Sequence, residues 1–128
     1  MWKKNLIYNV FNNKDSEVPI WFLRQAGRHI PEYFEIRKKE NNFVKFCLNE
    51  RLIIDSTKLP LKYYDLDAAI VFSDILMIPW AMDRNLSFIK GFGPTLEPMI
   101  PGETKIIKNI SIASKLDPLK NALLSLRS

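Results

Sequence analysis

Two groups of residues in this chain have the types and spacing to do chemistry. The first is Arg24-Gln25-Ala26-Gly27-Arg28, which follows the apolar run Pro19 to Leu23. Two guanidinium groups four residues apart offer planar forks that match carboxylates. Gln25 adds an amide donor and acceptor, and Gly27 lets the backbone turn sharply or come close to a ligand. The second group is Phe72-Ser73-Asp74-Ile75-Leu76, in which a carboxylate leaves an apolar run. A partly buried carboxylate can accept N–H donors or stabilise a developing cation. Each group has a plainer account beside it. Arg24 and Arg28 could be solvated on a loop, and Asp74 could be a helix cap or a loop residue.

The elements around these groups decide whether they can act. Residues 18–23 (VPIWFL) are a short apolar run ended by charge, with the length and β-branched content of a buried strand. Residues 68–72 (AAIVF) are apolar throughout, as in a parallel strand buried on both faces. Both groups would then sit at the C-terminal ends of strands, where α/β folds bind ligands. Residues 5–11 suit a short amphipathic helix, and Pro31-Glu32 with the later Lys38-Lys39 suits a helix and its dipole. Residues 43–64 are mostly helical in pattern, with Pro60 expected to kink or divide them. Gly91, Gly93 and Pro94 mark a hairpin or loop excursion over residues 86–100. Asp117 and Pro118 open a last helix, Asp117 as its N-cap. The order is βα then βα, an α/β chain with parallel strands. Two strands cannot close a parallel sheet, and a (β/α)8 barrel takes about 250 residues. The chain is therefore expected to be one partial domain, residues 1–128, the N-terminal portion of such a barrel and incomplete at its C-terminal end.

Composition narrows the function classes. The 128 residues are 47% apolar and 26% charged, a globular balance. The net charge is +5, and residues 1–62 carry the whole surplus, with 12 Lys and Arg against 7 Asp and Glu. A basic half attracts anions. No dense basic run with interleaved aromatics exists, so nucleic acid is disfavoured as a partner. No apolar run is long enough for a membrane span, and residues 1–15 do not make a convincing signal peptide. The one cysteine, Cys47, allows no internal disulfide and reads as a small buried hydrophobe, which fits a reducing cytoplasmic setting. The one histidine, His29, has no partners for a metal site or a triad and is assigned to a loop. The three tryptophans read as packing residues, and Glu32 with Glu35 as an exposed helix face.

Taken together, PIWFLRQAGRHIPEY at 19–33 and DAAIVFSDIL at 67–76 resemble the two signatures of the uroporphyrinogen decarboxylase family. Arg37, Phe43, Cys47, Pro79, Ala81, Met82 and GFGP at 91–94 extend the match, which covers residues 6–127 collinearly. The resemblance implies a (β/α)8 barrel enzyme that needs no cofactor and no metal. Its substrate would be uroporphyrinogen III, a small-molecule tetrapyrrole. Four acetate side chains would lose carbon dioxide to give coproporphyrinogen III. By the family pattern Arg24 and Arg28 pair with substrate carboxylates, and the backbone of Arg24, Gln25, Ala26, Gly27 and Arg28 lines the pocket. Arg24 also takes part in proton delivery. Asp74 accepts hydrogen bonds from the pyrrole N–H groups. Full-length members are expected to be homodimers.

The sequence departs from the pattern at several places. Leu23 stands for the usual Met, His29 for a frequent Tyr, Asp-Ser-Thr-Lys-Leu-Pro at 55–60 for Glu-Val-Thr-Leu-Gln-Pro, and Asp83 for a usual Gly. The family's later pocket residues, a tyrosine, a serine or threonine and a histidine, have no place on these residues. The chain alone is therefore expected to be poorly folded or aggregation-prone, and inactive. Two further readings stay open. One is a non-catalytic truncated product that binds anions or porphyrinogen. The other is a corrinoid-type methyltransferase of the same fold, which would lack RQAGR and carry late zinc ligands.

Overall fold

The computed structural model describes residues 6–14, 17–89, 91–98 and 110–127. Short helices dominate: α1 (Leu6–Phe11), α2 (Pro31–Arg37), α3 (Phe43–Cys47), α4 (Glu50–Lys58), α5 (Met77–Ala81), α6 (Ile110–Lys115) and α7 (Asp117–Arg127). A 3₁₀ turn, Leu59–Lys62, prolongs α4. Between α5 and α6 lie β1 (Leu86–Ile89) and β2 (Gly93–Leu96).

Local chemistry sets most of these boundaries. Pro31 opens α2, with Glu32 in its first turn and Arg37 in its last, as the dipole favours. Asn42 Oδ1 accepts the Lys45 N–H at 3.0 Å and caps α3. Asn49 Oδ1 accepts the Leu52 N–H at 3.1 Å and caps α4. Residues 43–64 are thus divided twice. Pro60 turns the end of α4 into a 3₁₀ turn, as expected. The earlier break before Asn49 comes from the cap, which the helical periodicity does not reveal.

The core forms where α2, α3 and α4 meet. Phe46 is fully buried, with its ring edge-on to Phe72 at 5.4 Å and 85° and stacked on Phe43 at 6.3 Å and 9°. Ile30, Tyr33, Cys47, Leu52, Leu59 and Met77 complete the cluster. Helix α7 lies along α4 and buries Ala122 completely. A small residue there lets the two helices come close.

The strands differ from expectation. Neither 18–23 nor 68–72 forms one; among the described residues the only sheet is the antiparallel β1–β2 pair. The hairpin itself is where Gly91 and Gly93 place it, with φ of 85° and 96° and Leu86 opposite Leu96. The two apolar segments do lie side by side. The Asp67 N–H donates to the Ile20 carbonyl at 2.9 Å, and the Ile20 N–H donates to Asp67 Oδ2 at 2.8 Å. A regular ladder does not follow, because a lone parallel pair is marginal without flanking strands and covered faces. Val18 and Leu23 remain 81% and 82% exposed. The composition is that of buried strands, but the layers that would bury them are not among the described residues.

The residue that replaces the family's glycine, Asp83, has φ of 60°. Left-handed backbone there accounts for a glycine, and aspartate is one of the few other residues that tolerate it. Asp83 Oδ1 also accepts from Lys115 Nζ at 2.5 Å, which ties α6 to the end of α5. Asp83→Gly is expected to leave stability within about 1 kcal/mol, since relief of the backbone offsets an exposed ion pair. Asp83→Val should cost about 2 kcal/mol. Urea unfolding of the three chains measures both, and equal losses would show that the backbone is not the constraint.

Candidate active site

The loop at 23–28 and the segment at 70–74 come together around one cavity of about 570 Å³. Arg24, Gln25, Ala26, Gly27 and Arg28 line one side, and Ile70 to Asp74 line the other. Tyr33, Phe34 and Arg37 of α2 and Phe43 of α3 complete the wall. All six residues expected in the site border this single space.

Side chains hold the two segments in register where a backbone ladder is missing. Gln25 is 6% exposed. Its Nε2 donates to the Ala68 carbonyl at 2.8 Å and the Phe22 carbonyl at 3.1 Å, and its Oε1 accepts the Ile70 N–H at 3.0 Å. Both amide hydrogens are thereby used, so Gln25 works as a brace between the segments. Two residues further on, the Phe72 N–H donates to Thr57 Oγ1 at 2.8 Å, while that hydroxyl donates to the Ile53 carbonyl at 2.7 Å. Thr57 is 1% exposed and fixes the chain just before Ser73 and Asp74. Sequence reasoning missed this role; the signal was a threonine on the buried stripe of α4.

The plainer account of Asp74, a loop residue before a helix, is the one its hydrogen bonds bear out. Its Oδ1 accepts the Leu76 N–H at 2.9 Å and its carbonyl accepts the Met77 N–H at 3.1 Å, an Asx turn that leads into α5. It also borders the cavity and is partly buried. Oδ2 has no hydrogen-bond partner among the described residues. Gly27 is not in the left-handed region, and a Cβ there would meet the His29 ring at an ordinary 3.6 Å. The chain does turn here, the Gly27 carbonyl accepting the Ile30 N–H at 3.1 Å, but without a backbone that only glycine adopts readily.

Three guanidinium groups border the space. Arg24 and Arg28 are exposed and make no ion pair with a described residue. Arg37 is held differently. Its guanidinium lies 5.1 Å from the Phe46 ring and 5.4 Å from the Phe43 ring, and it donates to the carbonyls of Glu40 and Asn41. Arg37 entered the sequence analysis only as part of a motif; its place at the cavity is read from the fold. Beneath the cavity, burial pushes the Cys47 thiol up to about 12, with Asp74 adding to the rise and Arg37 opposing it. Such a rise favours the neutral thiol over the reactive thiolate. Among the described residues no three His, Cys, Asp or Glu side chains gather as a metal site, and no helix is long and apolar enough to cross a membrane.

Two measurements test this geometry. Thr57→Val keeps the shape but leaves the Phe72 N–H without its acceptor, at a cost of about 2 kcal/mol; Thr57→Ser should lose about half of that. Equal stability of Thr57→Val and the parent chain in urea would remove Thr57 from the frame. The Cys47 thiol stays protonated in the fold while the unfolded thiol ionises near 9.0. Its contribution is complete below that pH and fades as pH rises towards 12. The parent chain should lose stability relative to Cys47→Ala across this window, read from urea midpoints at its two ends.

Comparison with known proteins shows the family. The family described as uroporphyrinogen decarboxylase (URO-D) matches residues 3–128. A uroporphyrinogen decarboxylase of Chelativorans sp. (strain BNC1) is 43% identical over 110 residues, which is 86% of this chain and 32% of the relative. One from Brucella anthropi is 41% identical over 109 residues, 85% of this chain and 32% of the relative. One from Agrobacterium fabrum is 39% identical over 123 residues, 95% of this chain and 36% of the relative. The chain thus spans about a third of the length of these relatives. The family match takes in both motifs and every element that braces them, and the chain belongs to the uroporphyrinogen decarboxylase family.

Proposed function

We propose that this chain supplies the first substrate-binding wall of a cytoplasmic decarboxylase that converts uroporphyrinogen III to coproporphyrinogen III. One observation carries the reading: Arg24, Arg28 and Asp74 border a single cavity, and neither arginine is neutralised by a described carboxylate. An octacarboxylate supplies the missing counter-charge. In the proposed complex Arg24 and Arg28 bind carboxylates at the rim. Asp74 Oδ2 accepts pyrrole N–H groups while Oδ1 stays on its own backbone. Gln25 acts by bracing and Ala26 and Gly27 by lining, so of the five loop residues only the arginines engage carboxylates through their side chains.

The chemistry follows from that placement. Proton transfer to a pyrrole carbon, with Arg24 in the delivery path, makes the ring a cation. The bond between the acetate methylene and its carboxylate breaks, carbon dioxide leaves, and the electron pair neutralises the ring. A proton then adds to the exocyclic carbon and the ring proton is returned, which leaves a methyl group. Asp74 stabilises the cationic stage from a fixed position, an electrostatic role needing no bound metal or cofactor. The full enzyme would be a (β/α)8 barrel and a homodimer, with the remaining strands covering the apolar side chains of 18–23. The isolated chain would bind carboxylates but not turn over.

A graft tests the proposal. Residues 6–127 replace the matching third of the Chelativorans relative, and coproporphyrinogen is measured after oxidation by chromatography. The graft should retain activity, and Asp74→Ala within it should lose at least about a hundredfold in kcat. A graft that folds and assembles but forms no product would sink the reading.

A further inference from the structure

One polar atom at the cavity is not used by the scheme above. Tyr33 lies on α2, one turn ahead of Arg37, and is 8% exposed. Its ring is wedged between Phe46, at 6.4 Å and 79°, and Phe72, at 5.8 Å and 43°. The same residue borders the cavity that holds Arg24, Arg28 and Asp74. Its hydroxyl makes no hydrogen bond to a described residue, yet it is not among the sealed polar atoms, which are Ser56 Oγ and Arg84 Nε. The oxygen is therefore not sealed from solvent, and the residue that carries it is part of the cavity wall.

A buried phenol normally finds a partner, and leaving one unmet is costly. Burial raises the Tyr33 pKa, against the smaller lowering by Arg37 and Arg28, so the group remains an O–H donor wherever carboxylates are ionised. The nearby guanidinium groups cannot accept that proton. An anion in the cavity can.

We propose that the Tyr33 hydroxyl is a third recognition point of this site, donating a hydrogen bond to a carboxylate oxygen of the bound substrate between the Arg28 and Arg37 sides of the cavity. This rests on the reading of the cavity as a polycarboxylate site. The role differs from that of the arginines. A neutral donor on a ring locked by two aromatic neighbours selects direction, whereas exposed guanidiniums attract charge from any direction.

The test takes as its parent chain the graft of residues 6–127 into the Chelativorans relative, with uroporphyrin, the stable oxidised octacarboxylate, as the probe and binding followed by porphyrin fluorescence. Tyr33→Phe removes one oxygen and keeps the ring contacts. It should weaken binding about tenfold with an unchanged unfolding midpoint. The Tyr33 13Cζ resonance of the parent chain should move on titration with uroporphyrin, which serves where the variant does not fold. If Tyr33→Phe binds within twofold of the parent, or the resonance stays still at saturation, the hydroxyl has no such role. Arg24→Ala separates the two levels of the argument. Weakened binding in Arg24→Ala with full binding in Tyr33→Phe overturns this inference and leaves the polycarboxylate site standing. No binding by the parent chain overturns both.

Discussion

The site depends first on the Gln25 side chain. Arg24 and Arg28 sit on a loop, and Asp74 follows a segment with no ladder of its own. Nothing in regular secondary structure relates one to the other. Three hydrogen bonds of one buried amide do so, joining Phe22, Ala68 and Ile70. Each bond has a modest net worth, but breaking them would leave several inward-facing backbone groups unmet, which is the larger cost. The brace also explains why a glutamine stands between an arginine and an alanine in a motif that looks built only for anions.

Below the brace lies an aromatic floor. Tyr33, Phe43, Phe46 and Phe72 meet largely edge to face or stacked, and such pairs are worth about 1 kcal/mol each beyond the area they bury. The same rings carry Arg37, whose guanidinium covers two of them while its donors are taken by the chain after α2. A cation placed in this way is costly to move. Burial against this floor is also what chiefly raises the Cys47 thiol, with Asp74 adding to the rise.

Much of this was legible in the residues. Pro31, Gly91 and Gly93 marked α2 and the hairpin through backbone restrictions that act locally. The two motifs pointed to one site because each follows an apolar run, at whose end α/β folds bind ligands, and because together they resemble the signatures of one family. The failures share a cause. Residues 18–23 and 68–72 have strand composition, but strand formation depends on neighbours, and composition reports only what a segment would bury if they were there. The caps at Asn42 and Asn49 were passed over because a polar pair between helical patterns reads equally as a break. Thr57 was invisible as a brace because its partner, the Phe72 N–H, is distant in sequence.

Asp74 shows why the plain account and the chemical one need not compete. A carboxylate that caps nothing is free to rotate, and rotation blurs the field it offers a reacting centre. One that spends both oxygens on its own backbone has nothing to offer. Here Oδ1 is held by the Leu76 N–H, and the carbonyl of the same residue takes the Met77 N–H. The Asx turn ahead of α5 therefore orients the carboxylate, Thr57 sets the backbone that leads to it, and Oδ2 is left without a partner among the described residues. Preorganised charge stabilises a developing cation better than a mobile one because no reorganisation is needed when the charge appears. The turn contact, which taken alone would argue against a functional aspartate, is therefore compatible with the role proposed for it.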